Sequence, residues 1–272
     1  MGVEVRRGLV YGTVPGFRPL RLDLHLGPRP RALCLWLHGG GWRVGARSNG
    51  PGPAGSGSRQ LTRMAERGLA VAAADYRLSG EARFPAQLHD VGLACRFLAD
   101  GGAPTPSLAD LPLVLWGTSA GAHLAGLWAL SEPAGQPVVA VASWSAPADL
   151  LSLADDLDQL GERVDRTADS REALLLGAPP HTVPDLARRA SPAHQARPTD
   201  TSFLLVHGTA DRHIPMAQTE RYDRALSAAG APVRTVLVHG ADHFYGSISD
   251  DTLDALVDDT VDFLLAAADH SR

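Results

Sequence analysis

One serine between two glycines constrains the fold of this chain more than any other feature. The pentapeptide Gly117-Thr118-Ser119-Ala120-Gly121 joins an apolar run at 112–116 to an apolar, helix-favouring run that begins at Ala122. Glycines at both positions allow a turn sharp enough to project the serine hydroxyl out of a sheet edge, because a side chain there would collide with neighbouring backbone. The sequence therefore predicts a strand, a tight turn and a helix whose N-terminal amides point at Ser119. A purely structural glycine-rich junction is the alternative.

A second glycine-rich turn follows another apolar run. Residues 31–37 predict a buried strand, and it leads directly into His38-Gly39-Gly40-Gly41-Trp42. Consecutive glycines leave backbone N–H groups uncrowded, as an oxyanion hole requires, and one such donor contributes about 3 to 4 kcal/mol to an acyl-transfer transition state. We expect the N–H groups of Gly40, Gly41 and Ala120 to form this hole and His38 to order the loop by hydrogen bonding. A flexible linker is the alternative.

Acid and base candidates follow two later strand-like runs. Asp211 lies just beyond the run at 202–207, and His243 lies just beyond the run at 233–238. Nucleophile, acid and base thus occur in the chain order Ser119, Asp211, His243. This is the order of α/β-hydrolases and differs from the orders of chymotrypsin and subtilisin.

Other residues compete for these roles. His213 and His239 are alternative bases, and Asp149, which follows the run at 138–144, is an alternative acid. All 25 basic residues are arginine, so a serine–lysine dyad, a Schiff-base lysine and a Walker A lysine are excluded. No H-E-x-x-H pattern occurs, and we expect neither a metal ion nor a cofactor.

These motifs resemble those of α/β-hydrolase-fold serine esterases, in the bacterial esterase/lipase group that shares the HGGG signature with hormone-sensitive lipase. The chain is also similar to acetyl-xylan esterases, feruloyl-type esterases and kynurenine formamidases. The likeness extends roughly from Val10 to Phe263 and includes the segments 75–78, 84–87 and 191–194, whereas Ala122 replaces a second glycine of the usual pattern. It implies a small-molecule ester or amide substrate, cleaved through an acyl-enzyme. A formamidase or other amidase, a peptidase and an acyltransferase on the same triad are the alternatives.

Two tryptophans predict the size of the acyl pocket. Trp42 follows the glycine loop, and Trp116 immediately precedes the serine turn. If both indoles crowd the site, the pocket is small and short acyl chains are preferred. Packing of both tryptophans in the core is the alternative.

Length and composition limit the remaining possibilities. With 272 residues, of which 44% are hydrophobic, we expect a single α/β domain over residues 1–272. The net charge of −5 argues against a nucleic-acid partner. No apolar run is long enough for a membrane span and the N-terminus lacks a secretory h-region, which predicts no membrane association and a cytoplasmic location. Cys34 and Cys95 are expected to be buried thiols. The sequence is compatible with an oligomer.

The order of apolar runs predicts a mostly parallel sheet with helices on both faces, preceded by two antiparallel strands. Strands are predicted near 31–37, 69–74, 112–116, 138–144, 202–207 and 233–238, and helices near 58–67, 84–99, 119–131, 216–229 and 252–267. The segment 45–58 is rich in glycine, proline and serine and predicts a mobile loop. The acidic segment 150–190 predicts either a small lid over the site or a solvated surface excursion.

Overall fold

An eight-stranded sheet forms the centre of the computed structural model, which describes residues 2–131 and 137–271. The strands are β1 (Glu4–Gly12), β2 (Leu20–Leu26), β3 (Ala32–Leu37), β4 (Leu69–Ala74), β5 (Leu113–Thr118), β6 (Val138–Trp144), β7 (Ser202–Gly208) and β8 (Val233–Val238). Their spatial order is β1-β2-β4-β3-β5-β6-β7-β8. β2 pairs antiparallel with β1 and with β4, and the strands from β4 to β8 run parallel. The predicted mostly parallel sheet with two antiparallel N-terminal strands is confirmed.

Helices cover both faces of this sheet. They are α1 (Gly57–Glu66), α2 (Ala86–Ala99), α3 (Ala120–Leu130), α4 (Leu153–Gln159), α5 (Arg171–Leu176), α6 (Pro184–Arg189), α7 (Met216–Ala228) and α8 (Asp250–His270). α8 begins two residues earlier than predicted, after Ser249, whose hydroxyl accepts a hydrogen bond from the N–H of Thr252. Gly230, with φ of 76°, follows the end of α7. A glycine in this left-handed conformation commonly ends a helix.

The sheet separates two apolar cores because successive side chains of a strand point to opposite faces. Leu33, Leu35 and Leu37 of β3 pack on one face in a cluster that also includes residues of α2, α3 and α7. Cys34 and Trp36 pack on the other face with residues of α1 and α8. Strands covered on both faces read as continuous apolar runs, which is why β3 to β7 were recognisable in the sequence. Cys34 and Cys95 are buried thiols, as predicted.

The segment 45–58 is a loop up to Gly57, where α1 begins. Contacts that composition does not reveal attach this loop to the sheet. The Arg47 guanidinium donates to Asp23 Oδ1 at 2.8 Å and to Asp75 Oδ2 at 2.6 Å, and the Arg47 N–H donates to Asp75 Oδ1 at 2.8 Å. Trp36 Nε1 donates to the carbonyl of Asn49 at 2.8 Å. The beginning and middle of the loop are therefore fixed to β2, β3 and the end of β4.

The segment 150–190 contains α4, α5 and α6. Its acidic residues differ in their surroundings, because Asp155 and Asp158 bind Arg166 at the surface, whereas Asp156 is buried and binds Arg221 of α7. The side chain of Arg171 contacts the glycine loop, since a Cβ built on Gly41 would lie 2.8 Å from Arg171 Cδ. The segment therefore packs against the loop predicted to form the oxyanion hole. Within the residues described, no helix is long and apolar enough to cross a membrane.

The turn between β5 and α3 depends on two close backbone contacts. A Cβ on Gly121 would lie 2.1 Å from the Leu37 carbonyl oxygen at the end of β3, and a Cβ on Gly117 would lie 2.3 Å from the carbonyl carbon of Gly121. Real Cβ atoms do not approach backbone this closely. Both glycines are therefore required if the N-terminus of α3 is to lie against the ends of β3 and β5.

We expect Gly121→Ala to reduce the free energy of unfolding by about 3 kcal/mol, because the added methyl must displace backbone in a packed region. Urea unfolding followed by circular dichroism measures this loss. Gly80→Ala is the control, since nothing lies within 4 Å of a Cβ built on Gly80. Equal unfolding midpoints for the two variants would contradict the close-contact explanation.

Candidate active site

Ser119 occupies a strained turn between β5 and α3. Its φ of 51° and ψ of −119° lie in a region that non-glycine residues rarely adopt. The turn is held by a 2.8 Å hydrogen bond from the Ser119 N–H to the carbonyl of Trp144, the last residue of β6. Such strain persists only where the surrounding structure enforces it, and it is concentrated at functional sites. The predicted turn geometry around Ser119 is present.

The three residues expected to form a triad lie together at the carboxyl ends of β5, β7 and β8. Ser119 Oγ lies 3.1 Å from His243 Nε2. His243 Nδ1 lies 2.7 Å from Asp211 Oδ2. The side chains of His243 and Asp211 are 6% and 0% exposed, so water has little access to the imidazole–carboxylate pair. A carboxylate on Nδ1 keeps that nitrogen protonated and leaves Nε2 free to accept the serine proton.

Asp211 is fixed and ionised by its surroundings. Its second oxygen, Oδ1, accepts the N–H groups of His213 at 2.8 Å and Ile214 at 2.9 Å. Burial acts to raise the pKa of Asp211, but the hydrogen bond and charge of His243, together with the Ile214 N–H, hold the pKa below its ordinary value. The carboxylate is therefore charged and aimed at Nδ1 of His243 over the pH range in which an imidazole works as a base.

The alternative acid and bases lie elsewhere or have other partners. Asp149 pairs with His194 at 3.1 Å and lies 3.5 Å from Arg221 Nε, and His239 is exposed after β8. The His213 ring stacks on the His243 ring with centroids 5.2 Å apart. Burial and the neighbouring His243 lower the pKa of His213. This stacking was not predictable from the sequence, because it depends on how the loops after β7 and β8 meet.

The glycine loop lies beside Ser119. A Cβ on Gly39 would be 3.4 Å from Ser119 Cβ, and Gly40 and Gly41 have φ values of 116° and 58°. Gly40 accepts hydrogen bonds from the N–H groups of Arg43 and Val44, but within the described residues its own N–H and that of Gly41 donate to no protein acceptor. Ala120 begins α3, so its N–H has no acceptor within the helix. These N–H groups are free to bind a ligand oxygen.

His38 orders this loop, as the sequence predicted. Its Nδ1 lies 2.7 Å from the Gly39 carbonyl oxygen. Its ring stacks on Tyr76 at a centroid distance of 4.4 Å, and the Tyr76 hydroxyl donates to the His38 carbonyl at 2.9 Å. Burial lowers the pKa of His38, so the ring stays neutral and structural at ordinary pH.

The expectation that Trp42 and Trp116 line the acyl pocket is wrong. Trp116 is fully buried and packs between Trp36 and Trp144, with centroid distances of 5.7 and 5.4 Å. Trp42 is 2% exposed, and its Nε1 lies 3.3 Å from His123 Nδ1 inside the opposite core. Trp116 lies on the face of β5 that packs in the core with α1 and α8, and Trp42 belongs to the core on the other face of the sheet. Proximity to the motifs in sequence did not place either indole in the site.

The pocket that contains Ser119 and His243 has a volume of about 580 Å³. Its walls come from the glycine loop, from the 45–58 loop and from the loop after β8. Most of these residues are small, and the exceptions with large apolar side chains on the pocket surface are Val44, at 61% exposed, and Phe244, at 55% exposed. The sequence did not identify either residue. Within the described part of the chain, no group of three His, Cys, Asp or Glu side chains could hold a metal ion.

The sheet order, the strained serine at the end of β5 and the acid and base at the ends of β7 and β8 define an α/β-hydrolase. Comparison with known proteins agrees with this class. The BD-FAE family model matches residues 22–226, and the chain belongs to this family of α/β-hydrolase esterases.

Individual relatives are distant and longer. A probable isoprenylcysteine alpha-carbonyl methylesterase, ICME, of Oryza sativa subsp. japonica is 27% identical over 259 residues, which cover 88% of this chain and 58% of the relative. Esterase LipQ of Mycobacterium tuberculosis is 29% identical over 244 residues, covering 81% and 52%. The chain thus spans between half and three-fifths of these relatives. A truncated carbohydrate esterase from gut microbiota has the same fold, with a TM-score of 0.78 at 22% identity over 97% of this chain and 96% of that one.

We expect Asp211→Asn to reduce the reaction rate of Ser119 by roughly 10⁴-fold, because an amide at this position no longer holds the imidazole in the required tautomer. The second-order rate of labelling by a fluorophosphonate measures the effect. Asp149→Asn serves as the comparison and should react within a few-fold of the unsubstituted protein. If Asp149→Asn instead reacts much more slowly than Asp211→Asn, the acid is Asp149, in the loop after β6.

Proposed function

We propose that this protein hydrolyses carboxylic esters by forming an acyl-enzyme on Ser119. The observation that carries the proposal is the unbroken hydrogen-bonded series from Ser119 Oγ to His243 Nε2 at 3.1 Å and from His243 Nδ1 to Asp211 at 2.7 Å. Membership of an esterase family supports it, as do the names of the curated relatives. The free N–H groups beside Ser119 supply the electrostatic stabilisation that an acyl transfer needs.

The proposed reaction begins with attack of Ser119 Oγ on the ester carbonyl while His243 Nε2 accepts the serine proton. Asp211 stabilises the resulting imidazolium, and the N–H groups of Gly40, Gly41 and Ala120 bind the oxyanion of the tetrahedral intermediate. His243 then returns its proton to the departing alcohol oxygen. In the second half, His243 takes a proton from water, the hydroxide attacks the acyl carbonyl, and the acid leaves as Ser119 regains its proton.

Ser119→Ala should abolish ester hydrolysis and fluorophosphonate labelling, because the nucleophile is removed. His243→Ala should reduce kcat by at least about 10³-fold, because the serine then has no base. Hydrolysis of p-nitrophenyl acetate and intact-protein mass spectrometry after labelling give the two readouts. His239→Ala, at an exposed position on the same loop, should retain both. Stoichiometric labelling of Ser119→Ala would refute the assignment of the nucleophile.

We further propose that the preferred acyl groups are short. Trp42 and Trp116 are buried in the cores and do not limit the acyl pocket. The support for short acyl groups is the size of the pocket. Its volume of about 580 Å³ is in the range of ordinary small-molecule sites, and the acyl and alcohol portions of the ester must share it. Gly52 on the pocket wall packs against α8, since a Cβ there would lie 2.7 Å from Leu253, which limits the space at this part of the wall.

The acyl preference predicts that kcat/KM for p-nitrophenyl esters declines by about tenfold or more between butyrate and octanoate, because binding energy is gained only where the chain fits. Acetate, butyrate, octanoate and palmitate form the series, and a formyl-anilide tests cleavage of amides in parallel. A maximum at octanoate or palmitate would contradict the short-acyl proposal.

A further inference from the structure

Phe244 is a large aromatic side chain whose exposure the fold does not explain. It directly follows His243, lines the pocket that holds Ser119 and is 55% exposed. A single exposed apolar residue is common on protein surfaces. Here, however, the exposed ring lies on the wall of the pocket beside the base, where its contacts with a bound ligand would replace contacts with water.

The Phe244 ring packs edge-on against two imidazole rings. Its centroid lies 5.1 Å from that of His243 and 5.2 Å from that of His213, with both pairs close to perpendicular. The Phe244 N–H donates to Asp242 Oδ1 at 3.0 Å. The following residue, Tyr245, is buried against Trp144 and lies within hydrogen-bonding distance of Ser145. These contacts reduce the conformational freedom that the ring has to lose on binding a ligand.

The direction of proton transfer decides which half of an ester reaches Phe244. His243 Nε2 faces Ser119, and the same nitrogen must come within hydrogen-bonding distance of the departing alcohol oxygen to protonate it. The alcohol portion therefore lies on the His243 side of the scissile bond, next to Phe244. The carbonyl oxygen lies on the opposite side, toward the glycine loop.

The rest of the pocket offers the alcohol little apolar contact. The 45–58 loop contributes mainly glycine, serine, asparagine and proline, and Val44 is the other large apolar side chain exposed to the pocket. An aromatic ring of a ligand gains the most binding free energy beside another aromatic ring, in offset or edge-to-face contact at centroid distances of about 4.5 to 7 Å. Phe244 is the one aromatic side chain of the described pocket wall that is exposed.

We propose that Phe244 forms a subsite for the alcohol portion of the substrate and selects esters of aromatic alcohols of the benzyl type. The inference rests on the proposed ester hydrolysis and adds the chemical class of the leaving group. Phe244 acts by binding the alcohol ring and takes no part in proton transfer.

Acetates of benzyl, cyclohexylmethyl and ethyl alcohol test the subsite. All three pass through the same acetyl-enzyme, so deacylation is common to them and differences in kcat/KM report the acylation step. All three are primary alcohols with the hydroxyl on an sp³ carbon, which avoids the intrinsically better leaving group of a phenyl ester. We expect benzyl acetate to exceed ethyl acetate by roughly tenfold in kcat/KM, with cyclohexylmethyl acetate between them.

Phe244→Ala should bring the benzyl-to-ethyl ratio close to one, whereas Phe244→Tyr should retain most of it because the ring remains. Leu237→Ala is the matched control: it removes another exposed apolar side chain, 49% exposed, on β8, and should leave the ratio unchanged. Thermal unfolding of each variant establishes that it is folded, and truncation of an exposed ring should shift the midpoint little.

The possible failures are distinguishable. Hydrolysis of all three acetates at similar kcat/KM, or a benzyl preference that survives in Phe244→Ala, would overturn the subsite while leaving ester hydrolysis intact. Equal rates for benzyl and cyclohexylmethyl acetates would refute the aromatic selection. Absence of hydrolysis together with absence of fluorophosphonate labelling at Ser119 would instead refute the proposed function, and the subsite with it.

Discussion

The contact between Gly121 and the Leu37 carbonyl determines where the reactive serine lies. Because a Cβ at Gly121 would be 2.1 Å from that oxygen, only glycine lets the first turn of α3 approach the end of β3. The approach forces the chain to reverse within one residue, and Ser119 takes up a φ of 51° as a result. The same approach brings the α3 N-terminus beside the glycine loop that follows β3. Strain, nucleophile and free N–H groups therefore share one geometric cause.

Arginine–aspartate pairs hold the elements around this turn. Arg47 joins Asp23 and Asp75, both nearly buried, and so fixes the loop that forms one wall of the pocket. Arg77 binds Asp90 through several hydrogen bonds at the start of α2. On the other side of the sheet, α1 and α8 are joined by a ladder of ion pairs whose members repeat every four residues: Arg59, Arg63 and Arg67 with Asp254, Asp258 and Asp262. The planar guanidinium can donate two parallel hydrogen bonds to a carboxylate, as Arg63 does to Asp258, which an ammonium group cannot do.

Prediction from the sequence succeeded where the burial of a segment in the tertiary structure also determines the pattern of apolar residues along that segment. The parallel strands β3 to β7 were recognisable because both of their faces are covered. Ser119, Asp211 and His243 were recognisable because each follows a predicted strand in the order typical of this fold. It failed for Trp42 and Trp116, because nearness along the chain does not determine on which face of a strand, or of a turn with positive φ, a side chain lies. It also gave no sign of Phe244 or of the stacking of His213 on His243, since both depend on how two separate loops meet.

The sequence by itself determined the fold class, the order of nucleophile, acid and base, and the two glycine turns, because apolar periodicity and the steric freedom of glycine are properties of short segments. Asp149 and Asp211 both follow strands, so their positions in the sequence do not distinguish them. Only the tertiary structure decided which carboxylate faces His243, because it determines which loop lies next to the end of each strand. It also decided that the pocket is lined by Val44, Phe244 and the 45–58 loop. Those contacts join residues about 200 positions apart in the chain, and the packing that brings them together belongs to the whole sheet and its helices.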